Sequence, residues 1–503
     1  MKKIILILCV VLLLIGCVDG ATKIGLDRLN WSQSLPSGEG VKFSGTAPTI
    51  TVNKLYSDGG ILKFNGSEII FDNADLDKLN WSQSLPIGVV NGAFTTIVKY
   101  EGSNVIARWH NGTSINIGYA GTDDHTVINA ALNKGGKCVL TELFAPASTI
   151  DITKNVEISG LGPGTGLRSS VSPILRSPIN PGIRYNIHSL DINTTADNTG
   201  IELRSNYTAG LLIANEFGFT DFNGYTIKNV RFTAEAFNGT LLSIHDVEGV
   251  QVDTCSFIGP RDPRYNEGVH AIGIKTYLSN SYTQCGNSVI TNCLFRGLEY
   301  GFYAAGTSTR AIYLYGWQLV QNVMIACKNS IVSEYADTVV VDDLMIDQTI
   351  QGVSFKDTSG VISNSYIGCH STFPNSFAVR LWGTVASVNS VRVHDNFLWN
   401  SNTTVGHYGL LIYGTTIPVR FSEIHHNTFQ SSDCGIMIAG GAAHLSNDIN
   451  FNQFVNCKNA IYVSAGSMNT HISWNKMRSV TTSIYDGGTG TIKTSNYDED
   501  VGI

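Results

Sequence analysis

The 503-residue chain is predicted to be an all-β solenoid, because one short pattern returns from about residue 227 to the C-terminus. In each copy a β-branched residue is followed three positions later by a turn residue and two positions further by a bulky apolar anchor. A repeat of a few tens of residues with strand periodicity and no helical stripe is typical of solenoids. The 51 glycines and the low charged fraction of 15% also fit many short strands joined by tight turns.

Eight copies of this pattern carry the prediction. Five have Asn at the turn: Val361/Asn364/Tyr366, Val393/Asn396/Leu398, Ile424/Asn427/Phe429, Ile449/Asn452/Phe454 and Ile472/Asn475/Met477. Three have another residue there: Val252/Cys255/Phe257, Ile290/Cys293/Phe295 and Val340/Asp343/Met345. Parallel strands stacked about 4.8 Å apart place equivalent residues above one another. The five Asn are therefore predicted to form a structural ladder that satisfies buried backbone groups, and Asp343 is assigned the same role.

Two cysteines occupy the ladder position, Cys255 and Cys293, in coils taken to be adjacent. The spacing between coils lies within the Cα–Cα range of a disulfide, so the two are predicted to be stacked neighbours. Either they are bonded, which an exported protein permits, or they are two buried free thiols. No CxxC or Cys/His spacing indicates zinc, and no metal site is predicted.

The N-terminus has the features of a targeting segment. Lys2 and Lys3 precede an apolar run over residues 4–15, which predicts a signal peptide spanning residues 1–20. The run ends in Leu-Ile-Gly-Cys, which resembles a bacterial-type lipobox with Cys17 as the lipidated residue, and cleavage near Gly20 is the alternative. We therefore expect an extracellular or cell-surface protein, with glycosylation at Asn-X-Ser/Thr triplets if the source organism glycosylates.

A duplicated segment follows the signal. Residues 26–36 return almost unchanged at residues 76–86, and each copy precedes a β-rich stretch with an Asn-Gly turn, at 65–66 and 111–112. Asn-Gly between apolar alternations favours a type I′ hairpin. The predicted organisation is a duplicated β-rich module over 21–118, the solenoid over 119–495 and a tail over 496–503.

A short helix is predicted just before the solenoid. Thr122 or Asp123 can cap it, and Gly135-Gly136 ends it. Its apolar stripe consists of Val127, Ile128, Ala131 and Leu132. A Gly-x-Gly-x-Gly-Thr turn follows over residues 160–165. This order resembles the opening of right-handed parallel β-helix proteins of the pectate-lyase-like superfamily, over roughly residues 119–490. The resemblance implies that fold, but fold says little about activity within the superfamily.

Function is expected on outward positions, because the inside of such a cylinder is packed. The first outward row is a polar ribbon with Arg392 and His394, Glu423 and His425, Asp448 and Asn450, and His471 and Ser473. Glu423, His425 and Asp448 are candidates for acid–base catalysis, while Arg392, His394 and His471 are candidates for binding an acidic sugar. The alternative is an ordinary polar sheet face.

A second outward row is aromatic and lies near the later strand of each coil. Its members are Tyr303, Trp382, Tyr413, Tyr462 and Tyr485, with Arg380 beside Trp382. Regularly spaced exposed rings offer sugar rings an apolar face, which makes this row a candidate substrate-binding surface. The alternative is that these rings cover the ladder between coils.

Motifs of known activities are missing. The chain has no Asn-Thr-Asp, Gly-His-Gly or Arg-Ile-Lys sequence, so nothing supports a polygalacturonase, and Arg261-Asp262-Pro263-Arg264 is only faintly similar to the Arg/Pro motif of pectate lyases. Asp342, Asp343 and Asp347 come nearest to a calcium-binding set. No cofactor is predicted, with calcium expected only for a lyase.

Three functions remain open at this point. The favoured one is an exported surface protein that binds polysaccharide or cell-surface glycan or builds the envelope, with a membrane contact through the lipid anchor. The alternatives are a polysaccharide lyase or glycoside hydrolase, and a tailspike-like host-recognition protein, so either a monomer or a homotrimer is expected. A net charge of −7 without a Lys/Arg run argues against nucleic acid.

Overall fold

The computed structural model describes residues 55–58, 61–64, 67–68, 95–110, 115–177, 185–204, 225–278, 285–306, 314–370, 373, 375–385, 388–403, 406–414, 417–440 and 444–499. The predicted signal peptide with Cys17 and both copies of the duplicated segment lie outside these residues. The chain divides into two compact units, Met1–Gly88 and Val89–Ile503. Within the described ranges, no helix has the length and apolar character needed to cross a membrane.

The first unit contains one small antiparallel sheet. Its three strands are Leu55–Asp58, Ile61–Phe64 and Ser67–Glu68. Phe64 pairs with Ser67, so the second and third strands flank the Asn-Gly dipeptide at 65–66, which itself lies outside the described residues.

The second unit is a parallel β-helix in which each coil adds one strand to each of three long sheets. Sheet A comprises Gly136–Leu140, Val156–Gly160, Tyr185–His188, Tyr225–Lys228, Val250–Asp253, Val289–Thr291, Gln318–Val320, Val339–Asp342, Gly360–Ser363, Arg392–His394, Glu423–His425, Asp448–Asn450, His471–Ser473 and Ile492–Thr494. Sheet B comprises Leu143–Phe144, Gly166–Ser169, Asp191–Thr194, Arg231–Ala234, Ser256–Ile258, Leu294–Arg296, Val323–Ile325, Met345–Thr349, Tyr366–Cys369, Phe397–Asn402, Thr428–Ser432, Gln453–Val455, Lys476–Arg478 and Tyr497–Asp498.

Sheet C comprises Ile150–Asp151, Leu175–Arg176, Asn198–Arg204, Asn238–His245, His270–Tyr277, Tyr300–Ala305, Asn329–Glu334, Gln351–Lys356, Ser376–Gly383, His407–Gly414, Cys434–Gly440, Asn459–Val463 and Thr482–Asp486. Two further small sheets contain Cys285–Gly286, Leu314–Tyr315 and Ala336–Asp337, and Val388–Asn389 and Val419–Arg420. The predicted all-β, right-handed parallel β-helix is confirmed. Its last strand, Tyr497–Asp498, lies in the segment predicted as a tail.

The β-helical unit begins earlier than the predicted residue 119. An antiparallel meander of Thr95–Glu101, Asn104–His110 and Ile115–Gly121 extends sheet A, because its first strand pairs in parallel with Gly136–Leu140. The division of the chain accordingly falls at residue 88 rather than 118. A hairpin pattern in sequence shows that two strands pair, but it does not show which free sheet edge accepts them.

The capping helix, α1 (Asp124–Leu132), forms as predicted. The side chain of Asp123 accepts hydrogen bonds from the backbone N–H groups of His125 and Thr126, at 3.3 and 3.2 Å. The buried stripe consists of Val127, Ile128, Ala131 and Leu132. Gly135, with φ of 73°, closes the helix by donating its N–H to the Leu132 carbonyl. α1 thus covers one apolar end of the unit.

The core consists of side-chain stacks that run along the solenoid. On the inner face of sheet B, Phe232, Phe257 and Phe295 stack with ring centroids 4.7 and 4.8 Å apart, and Phe429 and Phe454 repeat the arrangement at 4.9 Å. All five rings are fully buried. Burial of such a side chain stabilises the fold by roughly 1.5–3 kcal/mol, so the stacks fix the register of each coil.

Two of the eight predicted copies are wrong by one residue. Val393 pairs with Ile362 rather than with Val361, which makes the copy Ile362/Ser365/Ile367 and turns Tyr366 outward. The preceding copy is likewise Val341/Leu344/Ile346 rather than Val340/Asp343/Met345. Consecutive β-branched residues fit the alternation in either register, and a one-residue slip exchanges the two faces. Pairing with the neighbouring coils decides between them.

Candidate functional site

Most of the predicted ladder exists, and it is purely structural. Asn396, Asn427, Asn452 and Asn475 are buried at equivalent corners, and each accepts through Oδ1 the backbone N–H of the ladder residue in the preceding coil, at 3.0–3.1 Å. Asn496 continues the ladder. Because every amide is committed to neighbouring coils, these residues are not available to a ligand.

The assignment of Asn364 and Asp343 to the ladder is wrong, as the register correction requires. Both occupy the exposed left-handed position one residue earlier, with φ of 50° and 53°. Asn364 Nδ2 instead donates to Asp342 Oδ1 at 2.8 Å. Conversely, the sequence pattern missed Asn322, whose Oδ1 accepts the Cys293 N–H at 2.9 Å.

Cys255 and Cys293 are stacked neighbours with free thiols, so the disulfide is not present. The Cys255 backbone N–H donates to Cys293 Sγ at 3.4 Å. Eight cysteines in the described part of the chain are free and buried: Cys138, Cys255, Cys285, Cys293, Cys327, Cys369, Cys434 and Cys457. The hydrogen bond with Cys255, together with burial, raises the pKa of Cys293 far above that of an ordinary thiol. A protonated buried thiol is no nucleophile.

The polar ribbon lies on the outer face of sheet A in the predicted order. One column is Arg392, Glu423, Asp448 and His471, which occupy directly opposite positions in successive strands. Arg392 Nε lies 3.1 Å from Glu423 Oε2, and His471 Nδ1 lies 3.0 Å from Asp448 Oδ1. The side chains of Glu423 and Asp448 remain 53% and 46% exposed. This column is a charge-paired open surface.

The neighbouring column adds imidazoles. His394 and His425 stack with ring centroids 5.0 Å apart, and His425 Nδ1 lies 2.9 Å from His426 Nδ1. Burial, and then the charges of His394 and His426, lowers the pKa of His425. A glycosidase needs one carboxyl kept protonated in a sheltered site facing the other. The ribbon offers two half-exposed carboxylates, Glu423 paired with Arg392 and Asp448 in contact with His471, which argues against Glu423, His425 and Asp448 as a catalytic group.

The aromatic row predicted on sheet C resolves into two columns. Tyr303, Arg380, Tyr462 and Tyr485 belong to one column of opposed positions, whereas Trp382 and Tyr413 belong to its neighbour. Spacing counted along the chain does not separate positions that lie two residues apart on one strand. Tyr462 and Tyr485 stack at 4.5 Å, so these two rings cover each other.

Several side chains of sheet C lie together around Arg380. Arg380 Cζ lies 3.8 Å from the centroid of the Trp382 ring and 5.4 Å from that of Phe377. Lys356 Nζ lies 5.4 Å from the same indole, and Tyr413 meets the indole edge-on at 6.4 Å. We call Arg380, Trp382, Lys356, Phe377 and Tyr413 the Arg380 patch.

The charges of this patch are unbalanced. Within the described ranges no carboxylate pairs with Arg380, and its Nε is buried without a hydrogen-bond partner, as is Trp382 Nε1. Burial lowers the pKa of Arg380, although the guanidinium stays charged. By contrast, Lys356 Nζ pairs with Glu334 at 3.4 Å. Arg380 is therefore a largely desolvated cation without an anionic partner among the described residues.

A clasp at the corner between sheets B and C was not predicted. Arg264, whose side chain is 5% exposed, binds Asp262 with Nε–Oδ1 at 2.9 Å and reaches Gln348 Oε1 at 3.2 Å. Tyr265 Oη lies 3.3 Å from His370 Nε2. The loop over residues 259–269 is thereby fastened to later coils. This loop contains the Arg-Asp-Pro-Arg sequence that is faintly similar to the pectate lyase motif. In the structure, Arg264 pairs with Asp262 and holds the loop in place.

The three aspartates considered for calcium do not converge. Asp342 points outward from sheet A and accepts from Ser363 Oγ at 2.7 Å, Asp343 lies at the exposed corner, and Asp347 belongs to sheet B. Within the described part of the chain, no group of three His, Cys, Asp or Glu side chains could hold a metal ion.

Similarity to known proteins is limited to distant likenesses among solved structures. No protein-family model matches the chain, and no curated protein matches its sequence. The catalytic domain of a GH87 α-1,3-glucanase in complex with nigerose is 12% identical over 74% of this chain and 64% of its own, with a TM-score of 0.41. The DFA-IIIase of Arthrobacter chlorophenolicus in complex with GF2 is 13% identical over 70% and 90%, with a TM-score of 0.38.

A tailspike protein shows a similar likeness. The Dettilon tailspike is 13% identical over 75% of this chain and 67% of its own, with a TM-score of 0.35. This chain spans 64–65% of the length of the glucanase domains.

Proposed function

We propose that this protein binds a polysaccharide that carries carboxylate groups, and that the Arg380 patch is its contact surface. The observation that carries the proposal is the Arg380 guanidinium, which lies 3.8 Å over the Trp382 ring without a carboxylate partner in the described residues. A sugar carboxylate would accept charge-assisted hydrogen bonds from Arg380. The partly exposed rings of Trp382 and Tyr413 would pack against the C–H face of the sugar.

The composition of the patch favours a uronate-type sugar over other anions. A nucleic acid requires a field of clustered cations, whereas the chain has a net charge of −7 and the patch holds one unpaired cation. An acidic sugar combines one carboxylate with an apolar ring face, which matches one guanidinium beside aromatic rings. Binding without catalysis is the proposal, since the nearby Glu334 carboxylate is engaged by Lys356 and by the Tyr303 hydroxyl.

The test is a polysaccharide panel of uronate-containing polymers and neutral polymers, scored for retention on the protein and for new reducing ends. Arg380→Gln should weaken retention of the acidic polymers about tenfold or more, because charge-assisted hydrogen bonds are worth about 1.5–3 kcal/mol. Arg392→Gln is the matched control, since it removes an outward arginine that is paired with Glu423. Equal losses in both variants, or no loss in either, would refute the assignment.

We further propose that the protein is exported and acts at the cell surface. The support is the N-terminal sequence, in which Lys2 and Lys3 precede an apolar run that ends at Cys17. Fractionation of expressing cells, with a labelled fatty acid, separates the two modes of export. Incorporation that disappears in Cys17→Ser supports a lipid anchor, release of unlabelled protein supports an ordinary signal peptide, and retention in the cytoplasm refutes export.

A further inference from the structure

The corner between sheets A and B changes its chemistry towards the C-terminal coils. From Ser189 onward, the residue after each sheet A strand has a left-handed backbone, and in the earlier of these coils it is polar: Ser189, Asn229, Thr254, Asn292, Gln321, Asp343, Asn364 and Asp395. In three consecutive later coils it is His426, Phe451 and Trp474, with φ of 56°, 54° and 56°. Asn and Asp tolerate this conformation better than bulky aromatic residues do. The backbone therefore does not account for the choice of aromatic side chains.

Packing does not account for it either. Phe451 and Trp474 are 51% and 58% exposed and lie outside the hydrophobic core. Their rings form a stack on the surface, with His426 and Phe451 at 5.3 Å and 6° and Phe451 and Trp474 at 6.3 Å and 7°. We call these three residues the Trp474 ledge. Its rings hold one another in place while remaining largely in contact with solvent.

The stack ends with an open indole face. In the next coil the same corner position is Ser495, which is too small to cover a ring. Among the described residues, Phe451 is the one ring that contacts Trp474, and no cation lies over it. Exposed Thr494 and half-buried Asn450 lie in the adjacent outward column of sheet A. The ledge thus joins a flat apolar surface to uncharged hydrogen-bonding groups.

We infer that the Trp474 ledge is a second carbohydrate site, which takes an uncharged sugar ring on the free face of Trp474. The nearest polar side chains are already engaged with each other, because His471 Nδ1 lies 3.0 Å from Asp448 Oδ1. The ledge therefore has stacking surface and hydroxyl partners and lacks a free cation for a carboxylate. It lies at the corner between sheets A and B, whereas the Arg380 patch lies on sheet C. The inference does not depend on the Arg380 patch being a site.

Two sites on different faces of one rigid solenoid would allow a single molecule to bridge two polysaccharide chains. Linking sites in this way raises the overall strength of attachment without any new contact at either one.

The ledge is tested with neutral gluco-, manno- and galacto-oligosaccharides, measured by tryptophan fluorescence and by calorimetry on the full chain. Wild-type protein should bind at least one series, and Trp474→Ala should weaken that binding about threefold to tenfold or more. Phe421→Ala is the matched control, because Phe421 is also left-handed and 56% exposed but has no stacked ring among the described residues. Phe451→Ala should give an intermediate loss, since it removes the support beneath the indole.

The two sites are distinguished by their ligands. Arg380→Gln should lose acidic polymers and keep neutral oligosaccharides, while Trp474→Ala should do the reverse. Absence of neutral binding in wild type, or equal losses in Trp474→Ala and Phe421→Ala with unchanged melting temperatures, would overturn the ledge and leave the Arg380 patch untouched.

Discussion

Asn452 Oδ1 accepts two hydrogen bonds from Asn427, one from its backbone N–H and one from its side-chain amide, each 3.0 Å long. In the same way, Asn427 Oδ1 accepts both bonds from Asn396, and Asn475 Oδ1 accepts both from Asn452. The amide of Asn452 also donates to the carbonyls of Ile424 and Asn450. A buried corner that would strand backbone groups in every coil is thereby satisfied by one residue type.

Removing one ladder amide should be costly. Asn452→Ala removes the acceptor of the Asn427 backbone N–H and the side-chain donor to the Ile424 and Asn450 carbonyls in a buried site, where each orphaned group costs about 1–3 kcal/mol. We expect the free energy of unfolding to fall by about 3 kcal/mol or more, measured by denaturant titration. Asn450→Ala, on the outer face of the same coil, should change it by less than about 0.5 kcal/mol. Similar losses in both variants would show that the ladder is not a special source of stability.

The buried thiols should be unreactive until the protein unfolds. Burial raises the pKa of Cys138 and Cys327 to about 12 and that of Cys457 to about 11, so little thiolate exists at neutral pH. A thiol reagent should therefore leave the described cysteines unmodified in native protein and label all eight after denaturation without reductant. Mass spectrometry that finds Cys255 linked to Cys293 would contradict the structure.

Stability should decrease as the pH falls below 7. His444 is fully buried, its Nδ1 accepts the Val419 N–H at 3.1 Å, and its Nε2 lies 2.9 Å from the Ala439 carbonyl oxygen. Burial lowers the pKa of His444, so the unfolded chain takes up its proton first as the pH falls through about 6.5. Stability is then complete above the unfolded pKa and is lost on acidification below it.

Denaturation at pH 7.5, 6.5 and 5.5 measures this loss. His444→Gln keeps a hydrogen-bonding side chain but cannot titrate there, so the variant should lose stability less steeply than wild type. An identical pH dependence in the two proteins would exclude His444 as a source of the effect.

The ribbon on sheet A should tolerate substitution. Glu423→Gln breaks a half-exposed ion pair with Arg392, and exposed pairs contribute about 0.2–1 kcal/mol. We expect a change in unfolding free energy below about 1 kcal/mol and unchanged retention of polysaccharide. If the wild-type protein releases new reducing ends and Glu423→Gln abolishes them, the ribbon is an active site after all.

Part of the candidate site was predictable and part was not. Alternation placed Arg392, Glu423, Asp448 and His471 outward in one column, because residues of a strand face opposite sides in turn. Alternation along a strand does not show which charged side chains pair with each other. The pairing of Glu423 with Arg392, and the absence of such a partner for Arg380 in the described residues, depend on strands 20–40 residues apart in sequence coming into contact.

The sequence by itself determined the solenoid, its capping helix and most of the ladder, because short-range periodicity and capping residues act within a few positions along the chain. Only the tertiary structure decided the register at Ile362, the partner edge of the strand Thr95–Glu101, and the separation of the aromatic residues of sheet C into two columns. Each of these depends on stacking against neighbouring coils, where a one-residue slip exchanges core and surface. The Trp474 ledge belongs to the same class, since it exists through contacts between successive coils.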